Sequence, residues 1–472
     1  MSNRRIITNL FLPWMYFMIL TFFGNYECYI SNAIMSIALY ITINYIYDYE
    51  RNFFSSVNFL CTIGLYIGIF TRYFVCIINE AHLTEFAPYP LASVPSHHIK
   101  TSMVSLIFIF TYAAAYTHEK KKYILMEHSS EKMQLQLENQ TLTSKKCVIA
   151  YLCIQLIVIV YKLMNIRLAT ELSYGTFDQF FRLVSMVAKF FAYTYLYLYS
   201  IERKNKTLIL YLIYIIPTLY LAIVSAWKGS IFFEIIVLCI VFNVGRKRIK
   251  KRYIIPVLFG MFFVFPIISM IRESYIHGTD VSLKFSNLLK YNLEHDFLYY
   301  YIKRLPYYDG LYYAINVDPS ISMQYKKAAG SIIARFFSGL IPRALWHDKP
   351  IVNVGSYVTY VLLRYSKLVY NNLTVGFLAD AYLDSKVLGV SLSGYFYGLL
   401  VGKNEKNFAY NKNAFSLAYY LTLWQALFNF WEGDIAAKSI NLIFVGLTYA
   451  IAGIIVDKFK YTFTIKGVNR NA

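Results

Sequence analysis

The chain has 472 residues, 58% of them apolar, 19% aromatic and only 15% charged. A soluble globular chain is about one-quarter charged, so this composition, with its positive mean hydropathy, excludes a water-soluble enzyme, a disordered chain and a secreted disulfide scaffold. Forty-six Lys and Arg against 26 Asp and Glu give +20, which in a membrane protein first reflects the basic bias of cytoplasmic loops rather than nucleic-acid binding. Cys28, Cys61, Cys76, Cys147, Cys153 and Cys239 lie in or beside apolar runs with no C-x-x-C pair, and read as buried thiols.

A helix needs about 20 mostly apolar residues to cross a bilayer. Runs at 6–23, 28–47, 57–79, 101–118, 147–164, 179–200, 207–225, 230–243, 254–271, 388–402, 413–430 and 436–456 predict an all-α polytopic membrane protein of about 12 spans. The first follows Arg4-Arg5 without a small-residue cleavage site and reads as a retained anchor, a twin-arginine signal being the alternative. With the N-terminus inside, the cytoplasmic loops hold 25 Lys and Arg, and the short external loops hold only Lys100, Arg167 and Lys228. Both termini are then cytoplasmic. Residues 1–271 form a nine-helix membrane region, 272–387 an external subdomain and 388–472 a three-helix membrane region. The stretch 119–146 reads as a solvated connector near the membrane surface.

No phosphate-binding glycine loop, dinucleotide fingerprint or H-E-x-x-H is present, nor a tight Asp-x-Asp. His97-His98 sits in a Pro-rich loop at 80–100, where adjacent histidines seldom hold a metal. We therefore expect external chemistry without metal or nucleotide, and no cofactor.

Charges inside spans are costly and point to function. Arg72, Lys162, Arg182 and Glu234 fall in outer halves and Lys189 near mid-depth; Arg182 and Lys189 are seven apart, on one face. Snorkelling explains Lys162 and Arg182 better than Lys189 or Arg72. Together with Lys228 they outline a cationic, outward-opening substrate cavity. The segment 272–372 adds 12 basic residues against seven acids, among them Arg272, Arg304, Arg335, Arg343 and Arg364. The guanidinium fork suits bidentate phosphate contact, so the pattern points to a phosphate carried on a lipid. Tyr299-Tyr300-Tyr301, Tyr307-Tyr308 and Tyr312-Tyr313 offer rings to a glycan, although Tyr is abundant throughout. In 331–350 an apolar stretch bearing Arg335 is cut by Gly339 and Pro342, predicting an interfacial half-helix and then Arg343 beside Trp346. Gly394, Gly398 and Gly402 form a ridge on the tenth span, suited to helix packing.

The block G-L-I-P-R-A-L-W-H-D-K-P at 339–350 resembles the IPR-x-LW-x-x-KP signature of bacterial oligosaccharide repeat-unit polymerases, the Wzy type that builds O-antigen and capsule polysaccharide. T-V-G-F-L-A-D-A-Y-L-D with L-G-V-S-L-S-G, over 374–394, is similar to that family's next block, and W-K-G-S at 227–230 to an earlier basic turn. One departure is Asp384-Ser385-Lys386, where the family more often turns on Asn and Gly. The resemblance implies a GT-C-like fold in a bacterial inner membrane with an external active site. It also implies a reaction: transfer of a glycan from undecaprenyl pyrophosphate to the non-reducing end of a new lipid-linked repeat unit. Arg343, Arg335 and Arg272 are then expected to stabilise the departing pyrophosphate without a metal. Asp380, Glu273, Asp348 and His347 are unranked candidates for the base. Arg72, Arg182, Lys189, Lys228, Arg304, Trp346, Lys349 and Arg364 are the expected substrate-binding set. A chain-length regulator and a flippase are the implied partners, with no nucleic acid. An O-antigen ligase and a flippase of lipid-linked oligosaccharide are the alternatives.

Overall fold

The computed structural model describes residues 3–24, 26–46, 58, 62, 64–78, 94–124, 142–164, 178–224, 228–244, 307–341, 345–346, 376–410, 413–430 and 434–468. Among them every regular element is a helix: α1 Asn3–Phe23, α2 Tyr29–Ile41 continued by a wide turn at Thr42–Ile46, and α3 Arg72–Ile78, entered through a similar turn at Tyr66–Thr71. Then come α4 Pro95–Ile124, α5 Lys145–Met164, α6 Asp178–Glu202, α7 Asn205–Val224 and α8 Lys228–Val244. After these follow α9 Tyr307–Asn316, α10 Pro319–Ala329, α11 Ile332–Leu340, α12 Phe377–Tyr410, α13 Ala414–Phe430 and α14 Ile435–Val468.

Among the described residues four segments are long and apolar enough to cross a membrane: Tyr29–Ile46, Pro95–Glu119, Asn205–Ala222 and Ile435–Val456. Leu10–Phe23, Tyr66–Ile78 and Phe233–Phe242 are shorter apolar helices. The predicted ninth span, 254–271, lies outside the described residues. Not every thiol is buried as expected. Cys153 is exposed on α5, where Ile149, Leu152, Leu156 and Val160 are exposed with it. An apolar helix face turned outward carries its cysteine with it.

Packing divides the chain differently from the predicted linear regions. One unit comprises Met1–Met126, Leu298–Asn407 and Ala426–Leu442; the other comprises Glu127–Phe297, Phe408–Gln425 and Ile443–Ala472. The reason lies in α9, which packs on α3 and α4 and so joins part of the segment predicted to be external to the N-terminal helices. In the first unit α4 also packs on α2, and α2 on α1. In the second, α6 packs against α5, α7 and α8. Two of its buried tyrosines reach across helices to backbone acceptors: Tyr151 donates to the Leu210 carbonyl at 2.9 Å and Tyr195 to that of Leu142 at 3.2 Å.

The glycine ridge of α12 meets α4. A Cβ on Gly394 would strike Phe108 and Thr111, and one on Gly398 would strike the Tyr112 carbonyl. Further along, Glu405 accepts from the Tyr116 hydroxyl at 3.0 Å and from the Asn58 amide at 2.8 Å.

α12 is broken near its start. Ser385 leaves helical geometry and Lys386 adopts φ 53°, ψ −138°, a conformation that glycine occupies freely and a side chain resists. Lys386 therefore occupies a position suited to glycine. Lys386→Gly is expected to stabilise the protein by about 1 kcal/mol, the relieved strain outweighing the added freedom of the unfolded chain. Thermal unfolding in detergent checks this, with Lys386→Val expected to melt lower.

A buried Arg–carboxylate cluster as the candidate functional site

Local sequence signals set both ends of α10 and of α11. Asp318 caps α10, accepting from the Ser320 amide at 2.7 Å; Pro319 opens the helix, and Gly330 closes it at φ 74°. Ser331 caps α11 through the Ala334 amide at 3.2 Å. Ile341 then turns extended, as the residue before a proline must. The half-helix expected in this block is therefore α11, and Arg335 lies on its buried face.

Arg335 donates to the Asp380 carboxylate on the first turn of α12 at 2.8 Å, and its second terminal nitrogen lies 3.9 Å from Asp434. The Tyr325 hydroxyl, from α10, donates to the same Asp380 oxygen at 3.4 Å. The other Asp380 oxygen accepts from the Ile435 amide at 3.0 Å. Asp434 caps α14, accepting from the Ala437 amide at 2.8 Å. Both carboxylates thus sit at the positive end of α14, where backbone N–H groups and the helix dipole favour negative charge. The side chains of Arg335 and Asp380 are 2% and 1% exposed. Among the described residues, Arg335 Nε and Nη1 have no hydrogen-bond partner. Both nitrogens are therefore without an acceptor within the described part of the site.

Burial, and after it the Asp380 charge, push the Asp434 carboxyl up to about 6, against the pull of its cap bond and of Arg335. Burial and Asp380 likewise raise the Tyr325 phenol well above its ordinary range, so it serves as a donor. A carboxyl raised from 3.8 to about 6 binds its proton more tightly in the folded chain. Its contribution to stability is therefore fully present below about pH 4 and is lost as pH rises through about 6. The melting temperature of wild type minus that of Asp434→Asn is expected to fall across that window. A flat difference would place Asp434 in water.

The other predicted residues scatter. Arg72 is buried and paired with Asp309 on α9 rather than lining an open cavity; the Cys76 thiol donates to the same carboxylate at 3.0 Å. Around this pair, Tyr73 donates to Asn32 at 2.6 Å, and His98 lies 2.9 Å from the Tyr308 hydroxyl. His97-His98 begins α4 rather than lying in a loop, because Pro95 starts the helix six residues before the predicted span. Tyr308, Tyr312 and Tyr313 are buried, so their rings serve packing in this state.

Lys189 sits in the second unit. It bonds to Gln425 and lies 4.0 Å from Glu234, which accepts from Tyr193 at 2.9 Å and Tyr214 at 3.0 Å. Arg182 is exposed on α6, and Trp346 is exposed beyond α11. Arg272, Arg304, Arg343, His347, Lys349 and Arg364 lie outside the described residues, as do the side chains of Lys162 and Lys228.

Sequence reading singled out Arg335 and Asp380 but missed Tyr325 and Asp434. A signal for Asp434 existed: Gly433-Asp434 directly before the apolar run from Ile435 is a helix-cap pattern.

Helices long and apolar enough to cross a bilayer, with every regular element among the described residues helical, mark the chain as an α-helical membrane protein. The chain belongs to the family described as "Domain of unknown function (DUF8712)", whose model matches residues 96–459, from α4 into α14 and across the whole Arg335 cluster. No curated protein and no solved structure matches it.

Proposed function

We propose that the chain polymerises undecaprenyl-pyrophosphate-linked oligosaccharide repeat units into O-antigen or capsule polysaccharide at the external face of a bacterial inner membrane. One observation supports this reading above the others. Arg335, just before the polymerase-like IPR-x-LW-x-x-KP block, and Asp380, in the following block, are 45 residues apart and meet at 2.8 Å beside Asp434.

In this reading the acceptor hydroxyl oxygen attacks the anomeric carbon of the donor glycan. The bond to undecaprenyl pyrophosphate breaks, and its electron pair leaves with the pyrophosphate. Asp434, its carboxyl raised to about 6 by burial, takes the hydroxyl proton. The Arg335 N–H groups at Nε and Nη1 stabilise charge on the leaving group. Asp380 orients the guanidinium. The cluster is closed in this state, so substrate entry requires displacement of α10 and α11.

A second reading, transport of lipid-linked oligosaccharide, draws on the half-buried Lys189 beside Glu234 and on the buried Glu405 far along α12. Both are charges away from the Arg335 cluster in sequence. The surface-glycan ladder of a deletion strain separates the readings. A single repeat unit capped on core supports the polymerase, whereas no attached glycan supports a ligase or a flippase.

A further inference from the structure

α11 is amphipathic in the sense opposite to a helix in water. Its buried residues are Arg335, Ser338 and Gly339. Ile333, Phe337 and Leu340, at i, i+4 and i+7, face outward, Ile333 being 69% and Phe337 61% exposed. Ile341, Leu345 at 79% and Trp346 extend the patch past the helix end. Contiguous exposed apolar surface marks a binding face.

Three observations choose the occupant. The Ile332 amide bonds to the Asp384 carboxylate at 3.0 Å, which fixes the start of α11 next to the break in α12. Three residues past Asp384 an outward apolar stripe begins on α12, with Val387, Leu388, Leu392 and Phe396 exposed. The two apolar faces therefore start at one level, where α12 enters its predicted span. Trp346 closes the α11 patch, and tryptophan favours the headgroup boundary. Lys327 ends α10 on the exposed side just before α11, while its neighbour Lys326 donates to the Asp384 carbonyl at 2.8 Å; an exposed cation at that level attracts anionic headgroups.

We infer that the face formed by Ile333, Phe337, Leu340, Leu345 and Trp346 lies in the headgroup–acyl boundary of a phospholipid bilayer. This goes beyond the polymerase reading and does not depend on it. With its apolar side in lipid, α11 holds Arg335 on the protein side, within about one helix diameter (~10 Å) of the headgroups.

The test is photocrosslinking of the full chain in vesicles of phosphatidylethanolamine and phosphatidylglycerol. Phe337 and Leu345 are each replaced by p-benzoylphenylalanine, with Ser320, exposed on the first turn of α10, as the control. Roughly tenfold more phospholipid-mass adduct at the two apolar positions than at Ser320 is expected for a face seated in lipid. If the Phe337 variant fails to insert, Ile333 carries the same test. A dimer-sized adduct would assign the face to a second copy of the chain. An adduct to another protein, or equal lipid adduct at all positions, would overturn the inference as well.

Discussion

Arg335→Ala is expected to destabilise the protein by about 3–5 kcal/mol, because it strands two buried carboxylates without a counter-charge. Arg335 is the only basic partner recorded for Asp380 among the described residues, and it shares Asp434 with that pair. Arg335→Lys keeps the charge but loses the planar fork and is expected to recover only part of the loss. Stability alone cannot separate a catalytic Arg from a clamp. The double variant Arg335→Gln, Asp380→Asn removes one charge of each sign and leaves groups able to hydrogen-bond. Asp434 alone is left without its counter-charge, so the double variant is expected to recover most of the stability that Arg335→Ala loses, yet to lose on the order of 10²–10³ in polymerisation rate, the cost of one missing charge-stabilising donor. A folded double variant that still polymerises would make Arg335 a clamp only.

Arg72→Ala is expected to cost a similar ~3–5 kcal/mol by leaving Asp309 buried and alone. These two residues are 237 positions apart and join α3 to α9. Their interaction therefore reports how the late segment is held on the N-terminal helices. Replacing both, as Arg72→Leu with Asp309→Leu, is expected to restore most of the stability, since apolar packing often equals a buried ion pair. A double-mutant cycle read by thermal unfolding in detergent checks this. Additive losses would mean that the pair does not couple the two elements.

What the sequence made legible was local. Apolar runs marked α1 to α8 and α12 to α14, and Gly339 with Pro342 marked the end of α11, whereas α9 and α10 lie in none of the runs. Arg335 entered as one of five Arg in its segment, and Asp380 as one of four acid–base candidates implied by the resemblance. Their meeting was not visible, and neither was the third member: Asp434 is 54 residues beyond Asp380 in the chain, and only the close packing of two helix starts brings them together. Arg72 illustrates the same limit. As a lone cation in an apolar run it reads as a substrate ligand, yet its partner is Asp309, one of seven acids in a long segment. Local patterns indicate that a buried charge needs a partner; tertiary packing decides which one. Likewise the exposed face of α11 is written in its sequence as an apolar stripe, but which side turns inward depends on Asp380 and Asp434 capturing Arg335.

The polymerase proposal is best tested with the purified protein in vesicles, supplied with undecaprenyl-pyrophosphate-linked repeat units of the source cell and no added metal or nucleotide. The products are resolved by size. A ladder of lengthening lipid-linked glycans is expected from wild type and not from the folded Arg335→Gln, Asp380→Asn variant. Repeat units left unjoined by folded wild-type protein would contradict the proposal.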